Sequence, residues 1–245
     1  MIDYCIFVQA RMSSSRTPGK VLKEISGKPM LLRQLERLKN SNENIPIICV
    51  TSIDKKDDAI EQLCNKYNFD CFRGSLDNVL DRYISASDSY NIKNIIRIGG
   101  DDPLVDADQV SDLISSHKQN NHDFIFTSHR NGKPYGCAAE LISVKSLKEI
   151  PSKTQDALYL EHIIPWFHHN KDKYKTMALI STPEFQRPDY YFTVDYPEDL
   201  ELVRQIFKNL LHLGEFFNFE QLINYCDNHQ EIMNINKNLH NGFDF

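Results

Sequence analysis

Apolar residues fall along the chain as short continuous runs that alternate with helical stripes. Tyr4-Cys5-Ile6-Phe7-Val8 is an apolar run of strand length and predicts a buried strand. Between 30 and 38 the apolar residues Met30, Leu31, Leu32, Leu35 and Leu38 recur at the spacing of one helix face. Residues 45–50 predict a second strand and 57–67 a second helix. A short strand at 71–74 is followed by a helix from about 78 to 90, and a strand at 94–98 ends at Gly99-Gly100. Further on, a helix over 106–120 leads to a strand at 123–127, a polar loop with Asn131-Gly132-Lys133-Pro134, and a strand near 139–144. Residues 157–169 read as helical, with Pro165 as a kink or break. Residues 190–194 predict a strand, and 197–209 a helix whose first turn holds Glu198 and Asp199, acids that suit a helix N-terminus.

This β-α-β-α rhythm predicts an α/β fold with a mostly parallel sheet and helices on both faces. Ligands of such sheets bind beyond the carboxyl ends of the strands, so the loops after strands carry the functional information. No internal repeat or low-complexity linker interrupts the chain, which predicts a single domain over 1–245 with an inserted arm at 128–188.

Composition narrows the picture by exclusion. With 41% hydrophobic and 25% charged residues the chain has ordinary globular composition. No apolar run approaches the ~20 residues of a membrane span. Asp3 lies where a secretory signal would be basic, which predicts a cytoplasmic protein with no membrane partner. Six cysteines (Cys5, Cys49, Cys64, Cys71, Cys137 and Cys226) occur singly, with no Cys-x-x-Cys and no Cys/His cluster at zinc spacing, and are read as buried reduced thiols. A formal net charge of −6 argues against a nucleic-acid partner. Yet residues 1–40 hold eight Lys or Arg against three acids, which suggests a small anionic ligand at one end of the molecule.

The chemistry concentrates after the predicted strand ends. Gln9-Ala10-Arg11-Met12-Ser13-Ser14-Ser15-Arg16-Thr17-Pro18-Gly19-Lys20 packs three cations, three serines and a glycine into one loop. Triphosphate binding uses Arg, Lys, hydroxyls and backbone N–H groups of this kind. Neither a Walker A motif nor G-x-G-x-x-G is present. By composition the loop is equally a solvated basic loop or a phosphate site, and its position after strand one favours the site. Asp101 and Asp102 follow another strand, where they can hold Mg²⁺ or simply cap a helix. Asp195 stands at a third strand end and could converge with Asp101 on one metal. Gly74-Ser75 to Asn78, taken alone, reads as a helix start with a capping serine, and Arg82 as a surface partner. Glu140 reads as a strand-edge glutamate, free to pair with a lysine or face a ligand. His162 is structural or functional, and His168-His169 is surface.

Three segments in order resemble one family. Gln9-Ala10-Arg11-Met12 through Pro18-Gly19-Lys20 and Gly27-Lys28-Pro29-Met30, then Gly100-Asp101-Asp102-Pro103-Leu104, then Val194-Asp195-Tyr196-Pro197-Glu198-Asp199-Leu200, are similar to motifs of the CMP-sugar synthetases (cytidylyltransferases), most of all to their spore-coat polysaccharide branch. The resemblance implies a Rossmann-like nucleotide-diphospho-sugar transferase fold, and a reaction in which CMP passes from CTP to a sugar or sugar-like acceptor. It implies that Arg11, Ser13, Arg16 and Lys20 surround the phosphates, that Gln9 and Ala10 lie near the base, and that Asp101 and Asp195 bind Mg²⁺. Thr17 stands where leucine is usual. Arg73-Gly74-Ser75 to Tyr83 resembles a segment that places Gly74, Ser75 and Asn78 near the cytidine. Tyr135 to Glu140 and Glu161-His162 resemble branch motifs that place Tyr135, Glu140 and His162 towards the acceptor. A homodimer is implied as well.

The expected chemistry is a single displacement at the α-phosphate with pyrophosphate leaving, in which Arg11, Lys20, Asp101 and Asp195 do the catalytic work by positioning and charge neutralisation. A phosphorylated polyol or small acid giving a CDP-linked product is the alternative acceptor. A metal-dependent glycosyltransferase or a non-catalytic nucleotide-binding subunit are the alternative classes.

Overall fold

A computed structural model describes residues 1–40, 44–127, 132–214 and 216–240. The elements run in the order β1 (Ile2–Gln9), a small hairpin of β2 (Glu24–Ile25) and β3 (Lys28–Pro29), α1 (Met30–Lys39), β4 (Ile47–Ser52), α2 (Asp58–Lys66), β5 (Asp70–Gly74), α3 (Val79–Ser89), β6 (Ile92–Gly99) and α4 (Gln109–Asn120). The second half adds β7 (Phe124–Phe126), β8 (Glu140–Ser143), α5 (Val144–Glu149), α6 (Ala157–Glu161), α7 (Ile163–His169), β9 (Thr176–Ala178), α8 (Pro197–Leu210), α9 (Phe219–Asn228) and α10 (Gln230–Met233).

Seven strands form one sheet in the order β5-β4-β1-β6-β8-β7-β9. Of these, β8 alone runs antiparallel to its neighbours, so the sheet is mixed and mostly parallel, in the Rossmann-like manner. The chain leaves β1 towards β4 and β5, then returns to β6 on the other side of β1. That reversal opens a crevice at the carboxyl ends of β1 and β6, the usual ligand position of such sheets.

Period-two alternation splits the strand side chains between two cores. Ile6, Val8, Cys49, Ile96 and Ile98 face α1, α2, α4, α8 and α9. Cys5, Phe7, Ile48, Val50 and Ile95 face α3, α5 and α7. Both faces are therefore covered, which explains why β1 reads as a continuous apolar run.

Three local departures from the sequence-based expectation have physical reasons. Residues 157–169 do not form one helix: α6 and α7 are separate, with His162 extended between them. Pro165 causes the break one turn upstream, because its ring excludes a helical carbonyl four residues earlier, at Glu161. Residues 190–194 make a single parallel bridge, Tyr135 with Tyr191, rather than a strand. Residues 106–108 precede α4 instead of opening it, since Asp106 is drawn into an ion pair with Lys133 at 2.9 Å. Of the expected loop at 131–134, Asn131 lies outside the described residues. The stretch 132–188 supplies β8 and β9 to the main sheet, together with α5, α6 and α7.

Two glycines permit close crossings near the crevice. A Cβ on Gly100 would lie 2.7 Å from the Gln9 carbonyl oxygen, so the chain after β6 rests directly on the end of β1. Gly136 has φ +86° and its Cβ would lie 2.4 Å from the Thr193 nitrogen. Gly136→Ala is expected to lower stability by about 3 kcal/mol or more, combining a left-handed backbone with a backbone clash, as measured by urea unfolding.

Candidate active site

The loop after β1 is pinned at both ends before it meets any ligand. Asp57, buried at the start of α2, accepts a 2.7 Å hydrogen bond from the Met12 N–H and further bonds from Ser52. Thr17, also buried, donates its hydroxyl to the Asp195 carbonyl at 2.7 Å. A leucine could not make this bond, so the unusual Thr17 joins the loop to a carboxylate segment. Gln34 of α1 donates to the carbonyls of Gly99 (2.5 Å) and Asp102 (2.9 Å), fixing the loop after β6. The two carboxylate segments are themselves joined, as Val194 N–H donates to the Asp101 carbonyl at 2.9 Å.

These constraints bring Lys20, Asp101 and Asp195 to one point. Lys20 is 7% exposed, and its ammonium lies 2.8 Å from Asp101 Oδ2 and 3.0 Å from Asp195 Oδ1. Arg16 reaches the same Asp195 oxygen at 2.7 Å, and the Tyr191 hydroxyl donates to the other at 2.9 Å. Burial pushes the Asp195 carboxyl up, but Lys20, Tyr191 and Arg16 outweigh it and hold it below the usual carboxylate range. Burial likewise opposes the Lys20 charge, and its two carboxylate partners overcome it and raise its pKa.

Asp195 is held from behind by residues that sequence reasoning passed over. Asp199 is fully buried; one of its oxygens accepts the N–H groups of Asp195 (3.0 Å) and Tyr196 (2.8 Å). Its other oxygen lies 2.8 Å from both Asn236 Nδ2 and His240 Nε2. The His240 ring stacks on Tyr191 at 3.4 Å between centroids. The signal for Asp199 was its place in the first turn of a helix; its role depends on a C-terminal segment far off in sequence.

A cavity of about 1130 Å³ opens beside this cluster and is lined by Arg16, Asp101, Asp102 and Asp195 at one end. Tyr135, stacked on Tyr191 at 4.6 Å, and Glu140, paired with Arg97 at 3.1 Å, lie in its wall. Glu140 thus pairs with an arginine across the β6–β8 ladder. His168 and His169, exposed as expected, form part of the lining, whereas the exposed His162 does not. Burial and the neighbouring Asp101 push the Asp102 carboxyl up to about 8, although Thr193 donates to it at 2.6 Å.

The other expected nucleotide residues occupy the same carboxyl edge of the sheet, outside this lining. Gln9 Oε1 accepts from the buried Tyr83 hydroxyl at 3.1 Å, and Ala10 is buried under Gly100. Ser13 is exposed, and Arg11 extends to Glu161 at 3.5 Å, away from Lys20. Gly74 lies against Arg82, with room for no Cβ beside Arg82 Cγ. Asn78, rather than Ser75, caps α3, its Oδ1 accepting from Asp81 N–H; Ser75 Oγ accepts the Asn78 N–H instead. Arg82 is buried and donates to the Ser75 carbonyl, so it is not a surface partner.

Two converging carboxylates of hard oxygen donors suit Mg²⁺, and Asp101 and Asp195 are the residues that could hold it. Fold and site together define a nucleotidyltransferase: a parallel-sheet crevice with a pinned basic loop on one side and paired carboxylates on the other. The comparisons narrow this class. A family model described as cytidylyltransferase matches residues 5–238, and the chain belongs to that family. The spore coat polysaccharide biosynthesis protein SpsF of Bacillus subtilis is 29% identical over 214 residues, covering 85% of this chain and 88% of its own. A 3-deoxy-manno-octulosonate cytidylyltransferase of Hydrogenovibrio crunogenus is 28% identical, covering 82% and 83%. The solved structure of a cytidylyltransferase from Leptospira borgpetersenii matches with a TM-score of 0.89 at 27% identity, covering 95% of this chain and 97% of that one.

Two measurements check the electrostatics. Lys20→Met should cost about 3–5 kcal/mol near neutral pH by leaving two carboxylates without their buried cation. The gap to the parent should close as pH falls below the ordinary carboxylate range, where Asp195 takes up a proton. Asp102→Asn should behave oppositely. Below about pH 4 the folded and unfolded chains both carry the proton; from there to about pH 8 only the folded chain keeps it, so the carboxyl costs more stability as pH rises. The Asn variant should therefore gain on the parent through that window, by about 1–3 kcal/mol at its upper end, in urea unfolding at stepped pH without added metal.

Proposed function

We propose that the chain is a Mg²⁺-dependent cytidylyltransferase that transfers CMP from CTP to a sugar acid or a related surface-polysaccharide precursor and releases pyrophosphate. The observation that carries this reading is the convergence of Asp101, Asp195, Lys20 and Arg16 at the crevice between β1 and β6, beside a cavity large enough for an acceptor. Two relatives support the acceptor class by name, one assigned to 3-deoxy-manno-octulosonate and one to spore coat polysaccharide biosynthesis.

Bound Mg²⁺ would supply charge neutralisation at the α-phosphate and a lowered pKa for an attacking hydroxyl. The protein's own residues do the rest. Lys20 and Arg16, now engaged by carboxylates, present their cations to the phosphates as the triphosphate enters. Arg11, exposed at the loop's rim, gives up its long contact with Glu161 and closes on the departing pyrophosphate. Gln9 and the backbone at Ala10 orient the base, with Gly74, Ser75 and Asn78 on its far side. Tyr135, Glu140 and Arg97 line the end of the cavity that receives the acceptor, where Glu140 and the tyrosine hydroxyl offer hydrogen-bond partners to sugar hydroxyls.

A glycosyltransferase reading fares worse. Its expected Asp-x-Asp would be Asp106-Ala107-Asp108, and Asp106 is buried against Lys133.

Pyrophosphate release with Mg²⁺ tests the proposal, using CTP, UTP, ATP and GTP with a panel of acidic sugars and phosphorylated polyols. CTP-dependent release with an acidic sugar is expected; release of a nucleoside diphosphate, or CTP binding by no calorimetric measure, would sink it. In the same assay Asp101→Ala and Asp195→Ala should each lower kcat at least about 100-fold, a few kcal/mol of lost transition-state stabilisation.

A further inference from the structure

Cys49, Cys64 and Cys71 are far from any zinc spacing in sequence, yet their three sulfurs lie within 4.8 Å of one another. The sheet and its covering helix create this. Cys49 of β4 and Cys71 of β5 are direct partners in a parallel ladder, so both side chains leave the same face of the sheet. Helix α2 covers that face and lowers Cys64 onto the pair, closing a triangle of thiols among Ile60, Leu63 and Phe69. Among the described residues no other group of three such ligands comes together.

We propose that this triangle is a three-thiolate site for a thiophilic d¹⁰ cation, of which Zn²⁺ is the physiological representative and Cd²⁺ the convenient probe. Thiolates select soft ions, and no carboxylate or imidazole belongs to the cluster, so the Mg²⁺ of the crevice does not compete for it. With metal–sulfur bonds of about 2.3 Å, sulfurs of one coordination sphere stand roughly 4 Å apart, close to the separations in the triangle, whose sulfurs all lie within 4.8 Å of one another. Binding replaces three S–H protons with one divalent ion and leaves a net single negative charge. Arg73, two residues beyond Cys71 and on the same face of β5, favours a thiolate at Cys71, with its guanidinium also paired to Asp58 at 2.7 Å and Glu61 at 3.0 Å. The proximity of the three sulfurs favours loss of the first proton from Cys64 and pushes the Cys49 thiol up. An entry path exists as well: β5 is the edge strand of the sheet and Cys71 is half-buried, so an ion reaches the site without crossing the core.

The site shares no residue with the crevice and would act as a clamp between α2 and two strands, adding stability by mass action. The test uses the full-length protein, kept reduced with a phosphine and titrated with Cd²⁺ alone. The expected result is one equivalent bound with a sulfur-to-cadmium charge-transfer band, accompanied by proton release and a rise in Tm. Oxygen ligands such as Asp101 and Asp195 give no such band, so the crevice is silent in this measurement. Cys71→Ser, the half-buried position least able to disturb folding, and Cys64→Ala should each weaken binding at least tenfold and shrink the band, while Cys226→Ser, outside the cluster, leaves both unchanged. Cadmium uptake without a sulfur band, or a band that persists in both Cys71→Ser and Cys64→Ala, would overturn the proposal.

Discussion

The placement of Asp195 is the constraint on which the rest of the site depends. Its peptide and side chain are fixed from five directions: Lys20 and Arg16 on one carboxylate oxygen, Tyr191 on the other, Thr17 on the carbonyl and Asp199 on the N–H. Residue 195 lies in a stretch with no ladder among the described residues beyond the single Tyr135–Tyr191 bridge. Side chains therefore do there what sheet hydrogen bonds do for β1 and β6. A buried charge in an irregular segment is tolerable only when every polar atom is matched, and that matching draws on residues from positions 16 to 240.

Much of the architecture was legible in the sequence because its signals are local. The strands at 4–8, 45–50, 71–74 and 94–98 and the intervening helices follow apolar periodicity, and the structure shifts their ends by no more than a few residues. Where a second signal competed, periodicity misled. Pro165 left apolar spacing intact across 157–169 but broke the helix upstream, at His162. Residues 190–194 alternate like a strand because Phe192 and Val194 pack into the core, yet among the described residues they pair only through the Tyr135–Tyr191 bridge. The acids at 106 and 108 looked like a helix start until Lys133, an ion-pair partner from across the fold, claimed the first of them.

The same division explains the site. Motif residues such as Lys20, Asp101 and Asp195 could be named from the sequence, since their residue types at strand ends suggest phosphate and metal chemistry. The structure brings those three into contact. Asp57, Thr17, Asp199 and His240 show their roles only in the fold, because those roles are hydrogen bonds to particular partners with no sequence period behind them. The cysteine triangle is a similar case. Its existence depends on strand register, which pairs Cys49 with Cys71 across a helix and a turn.

Charge balance links the site's two ends. Lys171 also lines the cavity, but the carboxylate cluster itself sets four acids, Asp101, Asp102, Asp195 and Glu140, against the three cations that pair within it, Arg16, Lys20 and Arg97. With Asp102 held protonated up to about pH 8 by burial and by Asp101, the charged groups come to three of each sign near neutrality. That paired cluster is then close to neutral before any ligand enters, which is the condition for burying Lys20 and Asp195 together without an uncompensated charge. On the proposed function, an entering triphosphate would disturb that balance at the Lys20–Arg16 side. The carboxylates released from those cations become the groups that need a new positive partner, so a nucleotide and a divalent cation should enter the crevice as a coupled pair. That coupling follows from the number and placement of charges and does not depend on which acceptor occupies the far end of the cavity.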